Sequence, residues 1–193
     1  MNRQAAIVDT NVVVAGLLTA HPESPVARIL DGMLDASFPF VVSEALLAEY
    51  RTVLIRPALR KLHGLTVAQV DAIVTDLALN AIVLTPVEAA PAPDPADQLL
   101  WGLLAVRTDL LLITGDKHSL RDAGMRGRVV SPRTFVALIA ADRLKRERIH
   151  LLLIDDARRG LADISAGRTQ DADVAVAKLQ ARRASTGPAG SKR

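Results

Sequence analysis

The chain has 193 residues, which is enough for one medium domain with an appendage. Half of the residues are hydrophobic but only five are aromatic (one Trp, one Tyr, three Phe), so Leu, Val, Ile and Ala must fill the core. The absence of cysteine excludes disulfides, a thiol nucleophile and thiolate metal ligands. The net charge of +3 is unevenly distributed, because residues 1–140 carry 12 basic and 14 acidic side chains (−2) and residues 141–193 carry 12 and 7 (+5).

Short apolar segments alternate with amphipathic ones along the first 139 residues. Strands are predicted at 5–8, 38–42, 82–84, 110–114 and, for a short fifth one, 129–130. Helices are predicted at 11–19, 24–35, 43–54, 66–79, 94–106 and 132–139. This alternation predicts an α/β fold, a three-layer α/β/α sandwich with a parallel four- to five-stranded sheet.

The composition changes after Ala141. Residues 142–164 are predicted to form one long basic helix, Gly167 to break it, and residues 171–183 to form a second helix. The sequence therefore predicts a domain over 1–141, a C-terminal helical extension over 142–184 and a disordered tail over 185–193. We see no signal peptide and no apolar run near the roughly 20 residues of a membrane helix, so we expect a cytoplasmic protein without membrane contact.

Acidic side chains fall where the predicted strands end. Asp9 follows the first strand, Asp116 follows the fourth, and Asp97 lies in the first turn of the helix after the third. Because the carboxyl ends of parallel strands meet at one edge of a sheet, these side chains should converge there, with Glu49 pointing back from its helix.

Such a cluster favours a bound cation. At an effective dielectric of about 20, two like charges about 4 Å apart repel by roughly 4 kcal/mol, which a cation offsets. Oxygen ligands without Cys or His suit Mg²⁺ or Mn²⁺, and such ions can activate water and stabilise phosphodiester cleavage.

Each acid taken singly also has a simpler interpretation. The N-cap candidates are Asp9, Asp94 and Asp116, since each precedes a predicted helix. Asp97 occupies a capping-box-like position, and Glu49 alone suits a solvated helix face. The functional interpretation therefore depends on the set of acids and not on any one of them.

The order and surroundings of these acids resemble the PIN-domain ribonuclease family. The family's opening motif, an apolar strand followed by Asp-Thr-Asn, is similar to residues 7–14, and its second motif resembles residues 41–54 around Glu49. Its third and fourth motifs are similar to Asp-Pro-Ala-Asp with Leu-Leu at 94–100 and to Leu-Ile-Thr-Gly-Asp-Lys at 112–117, and its closing segment resembles Ser-Pro-Arg-Thr-Phe at 131–135. Together these motifs cover about residues 5–139.

This resemblance implies a Mg²⁺- or Mn²⁺-dependent endoribonuclease, like the VapC-like toxins of bacterial toxin–antitoxin pairs. It implies that the catalytic residues are Asp9, Glu49, Asp97 and Asp116. Asp9 and Asp97 would be the primary metal ligands, Glu49 and Asp116 would complete the site directly or through water, and Asp94 would ligate or support. Supporting residues that orient carboxylates or water would be Thr10, Asn11 and Thr114.

Three other side chains in this part of the sequence have simpler interpretations, as core or surface residues. Trp101 departs from the small residues expected in its helix, and we expect it to fill the core. His63 and His118 are candidate acid–base groups, but two-metal chemistry needs no histidine, and we expect both to be surface residues.

The C-terminal segment carries a second resemblance. Residues 160–168 and 171–174 resemble the C-terminal part of small bacterial antitoxins, which wraps the toxin partner. We hypothesise that the extension folds over the acidic groove of its own chain or of a neighbouring subunit, with Arg168 entering the site because guanidinium pairs bidentately with carboxylates. A basic helix is more often a solvated face or a dimer helix, and these alternatives remain. Deleting residues 142–193 should raise ribonuclease activity if the hypothesis holds.

Two functions follow from these observations. The first is an RNA-cleaving toxin restrained by its own tail, and the alternative is a non-catalytic or self-silenced regulatory module that binds RNA or a partner. The partners predicted are RNA, a cognate antitoxin or the tail in its place, and a second copy of the chain in a homodimer. Stabilisation by Mn²⁺ separates the two functions, because a binding module need not show it.

Overall fold

The computed structural model describes residues 4–92, 94–121, 127–168 and 171–185. The chain divides into two compact units, Met1–Ala141 and Asp142–Arg193. The described strands lie in the first unit, and the described part of the second unit is helical.

A parallel five-stranded sheet is the centre of the first unit. Its strands are β1 (Ala6–Val8), β2 (Phe40–Val42), β3 (Ile82–Val83), β4 (Leu111–Ile113) and β5 (Val129–Val130). They lie in the order β3-β2-β1-β4-β5, and Ile7 in the central strand pairs with Val41 on one side and Leu112 on the other. Strands β1, β2 and β4 are fully buried, as their unalternating apolar runs predict, whereas the edge strand β3 is exposed.

Helices flank this sheet, which confirms the predicted α/β/α fold. The helices that begin in the first unit are α1 (Thr10–Leu18), α2 (Pro25–Leu34), α3 (Glu44–Leu54), α4 (Pro57–His63), α5 (Val67–Asn80), α6 (Gln98–Val106), α7 (Lys117–Arg121) and α8 (Pro132–Ser165). A 3-10 turn at Pro95–Asp97 precedes α6. Trp101 in α6 is 2% exposed and belongs to the core, as expected.

Two short helices were not predicted. Helix α4 begins at Pro57, shortly after the predicted helix end at residue 54, because proline is favourable at the first helical position. It ends at Gly64, whose φ of 72° lies in the left-handed region. Helix α7 follows Asp116, and its five residues are too few to show a hydrophobic period.

Helix α8 contradicts the predicted break between a helix that ends at residue 139 and one that begins at residue 142. One helix of 34 residues runs through the stretch that was predicted as two helices, at 132–139 and 142–164. The prediction was wrong because a change from apolar to charged composition does not break a helix, and no Gly or Pro occurs between Arg133 and Arg159.

The predicted helix break at Gly167 is confirmed, because α8 ends at Ser165. Gly167 has a φ of 70°, which suits a helix C-terminus, and α9 (Ala172–Ser185) follows. Of the predicted disordered tail, Ser185 ends α9 and residues 186–193 lie outside the described residues. Among the described helices, no single one is long and apolar enough to span a membrane, and α4 and α5 meet that criterion only together, as a pair bent by 86°.

Candidate active site

The strand order creates a reversal at the central strand of the sheet. From β1 the chain continues to β2 on one side, and it later returns to β4 on the other side. Such a reversal opens a crevice at the carboxyl ends of parallel strands, where ligands bind in this class of fold. Asp9 follows β1 directly, and Thr114 and Asp116 follow β4. The predicted acids at the ends of these two strands therefore flank the reversal.

Asp9 joins the two strand ends. Its carboxylate is only 4% exposed, and it accepts the Asn11 N–H through Oδ1 (2.9 Å) and the Thr114 hydroxyl through Oδ2 (2.6 Å). The first bond makes Asp9 the N-cap of α1, so the N-cap interpretation of this residue is also confirmed. The second bond reaches across 105 residues of sequence, which no capping role requires. Neutral donors and the helix N-terminus hold the negative charge in a buried position.

Glu49 is tied to the same helix start. The hydroxyl of Thr10, the first residue of α1, donates to Glu49 Oε1 over 2.6 Å, and Thr10 itself is 4% exposed. Glu49 is half-buried, and its bond to Thr10 is more than a solvated helix face requires. Helix α1 thereby connects two of the predicted catalytic carboxylates, one through its cap and one through its first side chain.

Tyr50 supports this connection, and it was not among the predicted site residues. Its side chain is fully buried, and its hydroxyl donates to the backbone carbonyl of Val8, the residue before Asp9. Burial raises the pKa of Tyr50 well above its usual value, and the charges of Asp9 and Glu49 raise it further. Tyr50 is the chain's one tyrosine, and a buried tyrosine hydroxyl needs a partner, which was the available signal.

Asp97 and Asp116 meet through Ser119. The Ser119 hydroxyl donates to Asp97 Oδ2 (3.0 Å), and its backbone N–H donates to Asp116 Oδ2 (2.7 Å). Asp116 also donates its N–H to the Thr114 hydroxyl (3.0 Å), the group that binds Asp9. Ser119 is 1% exposed and was not predicted; its place three residues after Asp116 fits helix capping and gave no signal of a contact with Asp97.

The pKa values of these two carboxyl groups shift in opposite directions. Burial raises the pKa of Asp97, the Ser119 hydroxyl opposes that increase, and the charges of Asp9, Asp94 and Asp116 add to it. The Ser119 N–H lowers the pKa of Asp116, and the charge of His118 contributes to the decrease. Asp97 is thus a carboxyl group whose pKa is raised by burial first and by the charges of three other predicted site acids second.

The remaining predicted residues lie in plainer surroundings. Asp94 is exposed, and its side chain accepts the Ala96 N–H (2.9 Å) as the cap of the 3-10 turn. His63 holds two backbone groups, Leu54 O and Leu65 N. His118 is exposed. Arg168, the predicted cationic cover, pairs with Asp163 of its own unit over 2.8 Å, and both side chains are more than half exposed.

The donor chemistry of the site suits a hard divalent cation. Carboxylate and hydroxyl oxygens are the ligands that Mg²⁺ and Mn²⁺ prefer, and each carboxylate oxygen that accepts one hydrogen bond keeps a lone pair. Within the described residues, however, no three Asp, Glu, His or Cys side chains are assembled as a group that could hold a metal ion. The chemistry of the residues thus fits a metal, while their arrangement as a ligand set stays a prediction.

The fold and its acids together define an α/β/α domain with carboxylates at the carboxyl ends of a parallel sheet. A family model described as PIN domain matches residues 5–118. The match covers more than half of the 193 residues, so the chain belongs to the PIN-domain family. PIN domains are generally nucleases that need a divalent metal. A search of the curated proteins finds no match.

Proposed function

We propose that this protein is a Mg²⁺- or Mn²⁺-dependent endoribonuclease whose site is the acidic crevice beside Asp9. The observation that carries the proposal is the bond from Thr114 to Asp9, which brings the ends of β1 and β4 together at the strand reversal. Around it, the hydrogen bonds of the predicted acids come from neutral donors, so the negative charge is kept for a ligand.

Four of the carboxylates are proposed to hold the cation. Asp9 and Asp97 would be the primary ligands, and Asp116 and Glu49 would bind it directly or through water. A divalent cation bound there activates water and stabilises the charge that develops on the phosphodiester. The chain's own hydroxyl groups have a different role, because Thr10 and Thr114 fix the orientation of Glu49 and Asp9 before any ligand binds.

RNA cleavage in a metal titration tests this function. The unchanged protein should cleave single-stranded RNA when Mn²⁺ or Mg²⁺ is added, and excess EDTA should stop the reaction. A DNA strand of the same sequence, assayed in parallel, shows whether the 2′-hydroxyl is required. Retention of RNA without cleavage at any metal concentration would support the alternative, a regulatory module that binds RNA or a partner.

We further propose that the protein acts as the toxin of a toxin–antitoxin pair, restrained by its basic extension or by a cognate antitoxin. Supporting this are the charge difference between the segments and the surface position of Arg168, whose exposed ion pair with Asp163 is weak enough to exchange for another carboxylate. A homodimer, in which the extension serves a neighbouring subunit, is part of the same proposal.

Charge reversal in the full chain tests the restraint. Arg168→Glu should raise the rate of RNA cleavage, because a carboxylate in place of the guanidinium is repelled by the acidic crevice. Arg159→Glu is the matched control, since Arg159 also forms an exposed ion pair within the extension, with Asp155. Equal rates for both variants and the unchanged protein would contradict a role of Arg168 in restraint.

A further inference from the structure

Ser119 occupies an unusual position between two acids of the site. It lies in α7, it is 1% exposed, and it contacts carboxylates from two separate elements. The hydroxyl donates to Asp97, 22 residues earlier, and the backbone N–H donates to Asp116, three residues earlier. One residue thus joins the turn before α6 to the loop after β4.

We infer that Ser119 is a positioning residue that holds the Asp97 carboxylate next to Asp116 for the divalent cation. The inference rests on the proposed function, because it concerns the same site. It assigns to Ser119 a part that neither carboxylate can fulfil alone, since like charges repel and do not fix each other's orientation.

Asp97 depends on this contact more than Asp9 and Asp94 depend on any single one of theirs. Asp9 has two hydrogen-bond donors, and Asp94 is held by a backbone N–H in its own turn. The side chain of Asp97 makes no capping bond to α6, and among the described residues the Ser119 hydroxyl is the donor that fixes it. Loss of that hydroxyl would leave the carboxylate free to rotate between staggered conformers.

The type of donor also suits the proposed role. A hydroxyl is neutral, so it orients the carboxylate and leaves its full negative charge for a cation. Lys or Arg at the same place would neutralise the charge and compete with the metal. Groups that orient metal ligands in this way typically change metal affinity about 10- to 100-fold when they are removed.

The two hydrogen bonds of Ser119 can be separated experimentally. Any residue except proline can donate its backbone N–H to Asp116 from this position, whereas only the side chain reaches Asp97. Ser119→Ala therefore removes the hydroxyl, with its bond to Asp97 and its smaller effect on Asp116, and keeps the backbone bond to Asp116. Ser119→Thr keeps a hydroxyl and serves as the conservative variant.

Mn²⁺ affinity of the full chain, measured by calorimetric titration, tests the inference. Ser119→Ala should bind Mn²⁺ about 10-fold more weakly than the unchanged protein, and Ser119→Thr should restore most of the affinity. Ser24→Ala is the matched control, because it also removes a serine hydroxyl with a structural hydrogen bond, the N-cap of α2. It should lower Tm by about 2–4 °C and leave Mn²⁺ affinity unchanged.

The possible results separate the inference from the proposed function. If Ser119→Ala keeps full affinity while Asp97→Asn loses it, the inference is wrong and the proposed function stands. If the unchanged protein binds no Mn²⁺, both are wrong. If Ser119→Ala does not fold, Ser119→Cys replaces it, since the thiol keeps the volume and donates weakly, and the same loss of affinity is expected.

Discussion

The two units of this chain are stabilised by different interactions. In the first, aliphatic and aromatic side chains fill a core in which Trp101, Tyr50 and Phe40 are among the largest buried groups. In the second, the side chains that the structure describes are exposed or at most half-buried, including Leu151, Leu152 and Leu153. Its order comes from helical hydrogen bonds and from exposed ion pairs such as Arg159 with Asp155.

This difference indicates where stability and adaptability lie. Burial of apolar surface is the dominant favourable term in folding, so the first unit should determine the unfolding transition. A helix without a buried face is marginal in water, and its exposed leucines leave apolar surface available for a partner. The proposed chemistry belongs to the unit with a buried core, and the proposed restraint belongs to the unit whose described side chains are mostly exposed.

Truncating a leucine in each unit gives the largest expected contrast. Leu103→Ala in α6 should lower the free energy of unfolding by about 2–5 kcal/mol, because Leu103 is completely buried and a cavity remains. Leu153→Ala should change it by less than about 0.5 kcal/mol, since this side chain is 62% exposed. Urea denaturation measures both values. Equal losses would show that the two units share one core.

An arginine pair gives the next contrast. Arg128 is half-buried and donates to the backbone carbonyls of Leu104, Arg107 and Leu110, where α6 ends and β4 begins. Arg128→Ala should cost about 2–3 kcal/mol, because buried carbonyls lose a charged donor.

The matched arginine in the second unit is Arg159. Arg159→Ala removes an exposed ion pair, and its midpoint of unfolding in urea should stay within error of the unchanged protein. A loss equal to that of Arg128→Ala would contradict the contrast between the units.

Replacing an acid gives the smallest expected contrast in stability, and here the variant in the first unit should be more stable than the unchanged protein. The folded state raises the pKa of Asp97 above 3.8, mainly through burial, so the folded protein binds a proton more readily than the unfolded chain there. Stability should therefore fall as pH rises from 3.8 through the higher folded pKa, and Asp97→Asn should raise Tm at pH 7 in EDTA. Asp163→Asn, in the second unit, should not. A lower Tm for Asp97→Asn would contradict the electrostatic account.

Much of the fold could be predicted from the sequence because buried parallel strands leave a local signal. The run before Asp9 and the run before Thr114 have no polar alternation, so both the strands and the acids at their ends were found. The position of β3 at the sheet edge could not be read, since edge strands and central strands have similar apolar sequences. The continuity of α8 was missed because composition was taken as a boundary.

The acids of the site were predicted, but the groups that hold them mostly were not. Thr10 and Thr114 stand next to the motif acids, so their support could be expected. The contact of Ser119 with Asp97 spans 22 residues and connects two elements whose packing the sequence does not specify. Tyr50 reaches back to Val8 across 42 residues for the same reason. Long-range hydrogen bonds depend on tertiary packing, and tertiary packing leaves no local pattern.

The cleavage rate of Asp9→Asn tests the central claim most directly. Asparagine is also a favourable N-cap through its side-chain oxygen, and its amide N–H, in place of the second carboxylate oxygen, can donate to a Thr114 hydroxyl that turns to accept, so the variant should fold normally. We predict that Mn²⁺-dependent RNA cleavage falls about 100-fold or more, since several kcal/mol of charge stabilisation are lost. The control Asp76→Asn alters an exposed helix residue and should keep full activity. Full activity in folded Asp9→Asn would contradict the assignment of the crevice as the active site.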